Sequence, residues 1–189
     1  MNVIIIHGSN PRDKEKLSKG EPPQNEKHWI PWVKEKLKEK GIKVYTPLMP
    51  ENWNPKYKDW RKEFEKLDIN KNTILIGHSA GGAFLVRWIA DTKTKIKKLI
   101  LVAPAKIFDL GHEYLKDLCD FEINKEILDL AREIVILISD NESEGIKRAV
   151  EIYSKELDIK PIELKGKGHF IFKHTGTKEF PELLKEILK

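Results

Sequence analysis

Asn72-Thr73-Ile74-Leu75-Ile76-Gly77-His78-Ser79-Ala80-Gly81-Gly82-Ala83-Phe84-Leu85-Val86-Arg87-Trp88-Ile89-Ala90 is the stretch that decides the fold. Its first five residues read as a buried strand, and residues 82–90 read as a buried helix. Between them stands Gly77-x-Ser79-x-Gly81. Strand, G-x-S-x-G, helix is the signature of a nucleophile elbow. The turn is so sharp that only glycine fits two residues either side of the serine. It lifts the Ser79 hydroxyl above the sheet. It also sets the free N–H groups of a helix start beside any oxyanion that forms there. The five-residue pattern alone occurs by chance, and its strand and helix flanks give it weight. Ser79 is the candidate nucleophile; the bland alternative is a serine in an ordinary strand-to-helix turn.

Outward from the elbow, strands and helices alternate. Residues 2–6 read as a first strand. A helix is expected over 27–40, capped by Asn25, with Trp29, Val33 and Leu37 on its buried side and Gly41 as its stop. A strand at 42–46 leads to a proline-rich loop, Pro47 to Pro55, and a helix at 56–68. The elbow takes 73–76 for its strand and 79–91 for its helix. Strand 98–102, a looser region at 104–132 with one or two short helices, and strand 134–138 follow. A helix at 144–157, a strand at 160–164 and a last helix at 177–188 complete the order. This alternation implies one domain, 1–189, of three-layer α/β/α type with a mostly parallel, doubly wound sheet. In such sheets reactive groups gather at the carboxyl ends of strands. His7, Ser79, Asp140 or Glu142, and His169 each follow an expected strand, so all belong to one rim.

Composition narrows the function classes. The 189 residues carry a formal charge of +5, which invites a nucleic-acid or membrane reading. The distribution argues against both. Lysines alternate with glutamates, as in Lys34-Glu35-Lys36-Leu37-Lys38-Glu39-Lys40, a solvated helix face with i,i+4 pairs. The most basic cluster, Lys93 to Lys98, lacks interleaved aromatics. The Val3-Ile4-Ile5-Ile6 run is only a strand's length, too short for a secretion signal or a membrane span. The single Cys119 excludes internal disulfides and argues against a thiolate metal site, which suits a reducing cytoplasm. No cofactor or metal is expected, and the oligomeric state has no signature.

The serine needs a base, and in this architecture the chain order is Ser, acid, His. His112, His169 and His174 follow Ser79. His169 sits in Gly166-Lys167-Gly168-His169-Phe170, a glycine-rich turn that can present an imidazole at the rim. The acid is open among three carboxylates at the end of strand 134–138, Asp140, Glu142 and Glu144, within Ser139-Asp140-Asn141-Glu142-Ser143-Glu144. Asp is the commoner residue for the role and favours Asp140; the alternative is Glu142. Whichever is not the acid belongs to the following helix start, Asp140 as a cap or Glu142 in the first turn. An oxyanion hole needs two backbone N–H groups. Ala80 should supply one and the loop His7-Gly8-Ser9-Asn10, at Ser9, the other. His7 reads as structural or substrate-adjacent.

Several markers together resemble the small single-domain α/β-hydrolases of the retinoblastoma-binding protein 9 and YdeN type. They are Ile6-His7-Gly8, His28-Trp29-Ile30-Pro31-Trp32-Val33-Lys34, Met49-Pro50 with Trp60, Gly77-His78-Ser79-Ala80-Gly81-Gly82, Leu101-Val102-Ala103 and Gly168-His169-Phe170. The resemblance spans nearly the whole chain. It implies a Ser-Asp-His triad whose acid precedes a hydrophobic-Pro segment. Counting back without gaps from His169, that position falls on Glu142, and Ser139 falls on a common family serine. The chain departs from the family here, with Glu for Asp and Ile146 for the proline. The expected function is a cytoplasmic serine hydrolase that cleaves a small carboxylic ester or related acyl compound through an acyl-enzyme. The short 104–132 region, where larger relatives insert a lid, implies an open site. The rival reading is a binding or regulatory protein on a hydrolase scaffold, supported mainly by the departure at the acid.

Overall fold

The computed structural model describes residues 1–108 and 111–189. Its strands are β1 (Asn2–Ile6), β2 (Lys43–Tyr45), β3 (Thr73–His78), β4 (Lys98–Val102), β5 (Ile134–Ser139) and β6 (Ile162–Leu164). They form one sheet in the order β2-β1-β3-β4-β5-β6, and every pair is parallel. Ile6 stands beside Gly77, and Gly77 beside Leu101, so the central strands finish at one level. The helices among the described residues are α1 (Asp13–Ser18), α2 (Ile30–Lys38), α3 (Tyr57–Phe64), α4 (Ala80–Thr92), α5 (Lys116–Cys119), α6 (Ile127–Leu130), α7 (Glu144–Leu157), α8 (Phe172–Thr175) and α9 (Pro181–Leu188).

The period-two alternation of the strands makes two cores. Val3, Ile5, Ile74, Ile76, Ile100 and Val102 face α2 and α9. Ile4, Ile6, Leu75, Leu99 and Leu101 face the layer that contains α3, α4 and α7. Both faces are covered, which is why these strands read as continuous apolar runs. On α3, Tyr57, Trp60 and Phe64 line one side and meet Phe84 of α4, with Phe64 edge-on at 5.2 Å. The strand order reverses between β1 and β3. The chain leaves β1 for β2 on one side and returns to β3 on the other, which opens a crevice above their carboxyl ends.

The expected three-layer architecture with a doubly wound parallel sheet is the one observed. Differences lie at element ends. Asn25 does not cap a helix; its amide donates to the Thr46 carbonyl, and α2 begins only at Ile30, with Pro31 at its first turn. The final helix likewise starts at Pro181, and α8 precedes it. β6 begins after Pro161, which has no N–H for the ladder. The loose region holds the short helices α5 and α6, while its residues 109 and 110 lie outside the described residues. No helix among the described residues is long and apolar enough to cross a membrane.

Candidate active site

Ser79 joins β3 to α4 with φ 53° and ψ −119°. This strained backbone, worth about 1–3 kcal/mol, persists because its surroundings over-determine it. The Ser79 N–H donates to the Val102 carbonyl, and the Ser79 carbonyl accepts from Gly82, Ala83 and Ala105. The flanking glycines are needed for close approach. A Cβ on Gly77 would lie 2.6 Å from the Gly81 backbone, and one on Gly81 would strike the Ile6 carbonyl oxygen.

His169 follows β6 and faces the same cavity as Ser79. Its Nδ1 is 2.8 Å from Glu142 Oε2. Glu142 is almost wholly buried, and its other oxygen accepts the Ser143 N–H at 2.8 Å. Burial pushes the Glu142 carboxyl up; the hydrogen bonds from His169 and Ser143 outweigh it and hold the carboxyl below its ordinary range. An ionised Glu142 only accepts, so His169 donates from Nδ1, and in the neutral imidazole that leaves Nε2 as the acceptor. That is the tautomer a general base requires.

Asp140 does not reach His169. It is exposed, and its Oδ1 accepts the Gly166 N–H at 2.7 Å, which lowers its pKa. Nor does it cap α7, whose cap position is Ser143. Asp140 instead belongs to a clasp that the residue-level reading missed. Ser139 Oγ accepts the Lys167 N–H at 2.8 Å, and Asn141 Oδ1 accepts the Gly168 N–H at 2.7 Å. Four consecutive side chains, 139–142, thus hold the turn that carries His169. The only hint of this in the sequence is the run of short polar residues, each able to bond backbone locally.

Ser9 lies on the cavity wall with Ser79. The loop after β1 presses on the elbow: a Cβ on Gly8 would lie 3.1 Å from Ser79 Cβ. Among the described residues neither the Ser9 nor the Ala80 N–H donates to a backbone carbonyl. His7 is structural. Its Nδ1–H donates to the Gly8 carbonyl at 2.7 Å and its Nε2 accepts the Met49 N–H at 2.9 Å. Burial lowers its pKa to about 4. The Pro50 carbonyl accepts from Trp60 Nε1, and the Trp60 ring meets His7 edge-on. Met49-Pro50 and Trp60 therefore brace the loop that bears Ser9. Trp29 stands edge-on to His78 of the elbow.

The cavity measures about 350 Å³, at the small end of ligand sites. Ala105, Ile107, Leu115, Ile146 and Ile171 give it an apolar wall, with Tyr114 and His112 beside them. Among the described residues no lysine or arginine lines it, and the carboxylate that does, Glu142, is already bonded to His169. Part of the short 104–132 region therefore walls the site, a role that its shortness alone does not reveal. Among the described residues no group of three metal-ligating side chains occurs.

Residues 19–188 match the family model described as serine hydrolase. The chain belongs to the serine hydrolase family. YdeN of Bacillus subtilis is 21% identical over 177 residues, covering 89% of this chain and 85% of that protein. The crystal structure of the B. subtilis ydeN gene product superposes with a TM-score of 0.82 at 20% identity, covering 99% and 96% of the two chains. Est1E of Butyrivibrio proteoclasticus, described with ferulic acid bound, gives a TM-score of 0.62 at 16% identity over 100% and 90%. These structures share the α/β-hydrolase fold. The family membership and the YdeN likeness make this serine-hydrolase chain a hydrolase.

Proposed function

We propose that this serine hydrolase is a carboxylesterase-like enzyme for small uncharged acyl esters, acting through Ser79, His169 and Glu142. His169 Nε2 takes the Ser79 proton as Oγ attacks the ester carbonyl. The Ser9 and Ala80 N–H groups stabilise the resulting oxyanion. The intermediate collapses, the C–O bond to the alcohol breaks, and His169 returns the proton to the leaving oxygen. A water activated by the same imidazole then hydrolyses the acyl-enzyme. Glu142 orients His169 and stabilises its charged form. No step needs a cofactor. The observation that carries the reading is the 2.8 Å contact of His169 Nδ1 with Glu142, beside Ser79 in one cavity.

The apolar wall, and the lack of a lining lysine or arginine among the described residues, favour acyl groups without charge. Est1E's ferulic acid suggests adding feruloyl esters to a panel of activated aliphatic esters. The buried, unbridged Cys119 fits a reducing cytoplasm as the place of action. Wild type should turn over part of the panel and react with a fluorophosphonate at Ser79. Ser79→Ala should fold normally and lose about a million-fold in kcat, as in a comparable triad. Substantial turnover by clean Ser79→Ala would sink the mechanism. Absence of both turnover and labelling in wild type would favour the scaffold-protein alternative.

A further inference from the structure

Three histidines that the proposed chemistry does not use converge on the segment that carries its base. His78, the second residue of the elbow motif, places Nε2 2.9 Å from the His169 carbonyl oxygen. His174 places Nδ1 2.9 Å from the His169 backbone nitrogen. His28, at the head of the tryptophan-rich segment, places Nδ1 3.2 Å from the Phe172 backbone nitrogen. A carbonyl only accepts and a backbone N–H only donates. His78 therefore donates from Nε2–H, while His174 and His28 accept through bare Nδ1 atoms.

The three approach from different parts of the fold. His78 ends β3, His28 precedes α2 and His174 lies in α8. Two of the imidazoles are also packed against neighbours, and the third sits on an unusual backbone. The His78 ring lies between Trp29 and His169, with centroids 6.0 Å and 4.9 Å away. The His174 ring packs so closely on Gly168 that a Cβ there would lie 2.6 Å from Nδ1. His28 holds φ 58°, a left-handed backbone that a non-glycine residue adopts at a cost. These bonds hold backbone groups of His169 and Phe172, next in sequence to residues 166–168, which the 139–142 clasp grips.

We propose that His28, His78 and His174 are positioning residues that bracket 169–172 and set where the His169 ring stands over Ser79. The proposal rests on the reading of His169 as the base. The clasp and the Glu142 bond fix one end of that residue, its turn and its Nδ1. The bracket fixes its backbone on both sides, so the direction of Nε2 is determined. Burial supports the bonding pattern by keeping His28 and His78 uncharged: it lowers His28 to about 4, helped by Lys27 and His169, and it lowers His78 well below the ordinary imidazole range. An imidazole that gained a proton on Nδ1 would lose its bond to the backbone N–H.

Asparagine places Oδ1 the same number of bonds from the backbone as histidine places Nδ1, so it retains an acceptor at similar reach. Leucine fills space and offers none. His174→Leu and His28→Leu should each lower kcat by about 10- to 100-fold, since a misplacement of about 1 Å can cost 100-fold; KM should stay near wild type in His28→Leu, while in His174→Leu, which also alters the cavity wall, kcat and its rescue by Asn are the readout. His174→Asn and His28→Asn should recover most of that loss. Fluorophosphonate labelling of Ser79 should slow and recover in parallel. His174 is exposed, so its substitution leaves no core cavity and the test stands even if His28→Leu fails to fold. Wild-type kcat in His174→Leu would overturn the bracket, as would an Asn variant no better than the Leu variant. His169→Ala is the control for the underlying reading. If it stays active, the base assignment fails; if it is dead while His174→Leu is unimpaired, only the bracket fails.

Discussion

At the scale of single residues, two carboxylates two positions apart have different tasks. Glu142 is buried and bonded to His169, whereas Asp140 is exposed and bonded to the Gly166 N–H. Glu142→Gln removes the charge that stabilises a protonated His169 and presents an amide that can favour the wrong tautomer. Its loss of kcat should approach the roughly ten-thousand-fold cost of losing the acid in a serine-protease triad. Asp140→Asn keeps an oxygen for the Gly166 N–H and should cost far less kcat. Steady-state kinetics on the two variants compare them directly, and a larger kcat loss in Asp140→Asn would exchange their roles. Ser79 was legible because the elbow constrains residues 77–81 as a unit, and His169 because a glycine turn follows a strand. Which carboxylate meets His169 was not legible from residue types, since Asp140, Glu142 and Glu144 all follow β5. It depends on which side chain points inward, and that is set by the path of the chain after Ser139. His28, His78 and His174 were unreadable for the same reason: a lone histidine does not announce which distant backbone group it meets.

At the scale of elements, α4 and its elbow depend on backbone proximity more than on side-chain packing. Gly81→Ala would drive a Cβ into the Ile6 and His7 carbonyls. Those atoms are backbone of β1 and its exit, beside β3 in the sheet, and not the far end of a flexible side chain. The variant should lose at least the about 1–3 kcal/mol typical of overpacking, with turnover falling as Ser79 is displaced. A wild-type urea midpoint and wild-type activity would contradict this. Gly145 makes the contrast. A Cβ there meets nothing within 4 Å, and the residue lies in the first turn of α7. Gly145→Ala should therefore stabilise by up to about 1 kcal/mol. Because Gly145 lines the cavity, the same methyl should raise KM for the bulkiest acyl groups tolerated. A destabilised Gly145→Ala would refute that account. Helices with strong apolar periodicity were legible: α7 spans the residues expected of it. α1 was not, because Asp13-Lys14-Glu15-Lys16-Leu17-Ser18 has almost no apolar face. It is tied down by a tertiary contact instead, buried Asp13 accepting from Gln24 and Asn52.

At the scale of the whole molecule, strand alternation and the elbow were enough to foresee a doubly wound sheet with its reactive rim. Hydrophobic period and chain order are global constraints that survive errors at element ends. What the period does not reveal is where polar groups are buried, and these govern how the molecule responds to acid. His7 is 1% exposed, and its pKa is lowered from 6.5 to about 4, chiefly by burial. In the unfolded chain it takes up a proton as the pH falls through 6.5, whereas the folded protein takes it up only near 4. Between those values the unfolded state holds more protons, so stability is complete above 6.5 and declines as the pH drops. Over the fall from about pH 7 to about pH 5 the loss from His7 alone amounts to about 2 kcal/mol. Buried His78 is shifted in the same direction and steepens the decline. Glu142 has a depressed carboxyl, so its contribution is lost only at lower pH and leaves this window clear. Urea unfolding at the two pH values measures the slope. His7→Asn lowers stability at both, because it gives up a hydrogen bond to Gly8 or Met49, but it no longer titrates. Its slope should be shallower than wild type by the His7 share. An unchanged slope in His7→Asn would show that His7 is not the group through which acid unfolds this fold.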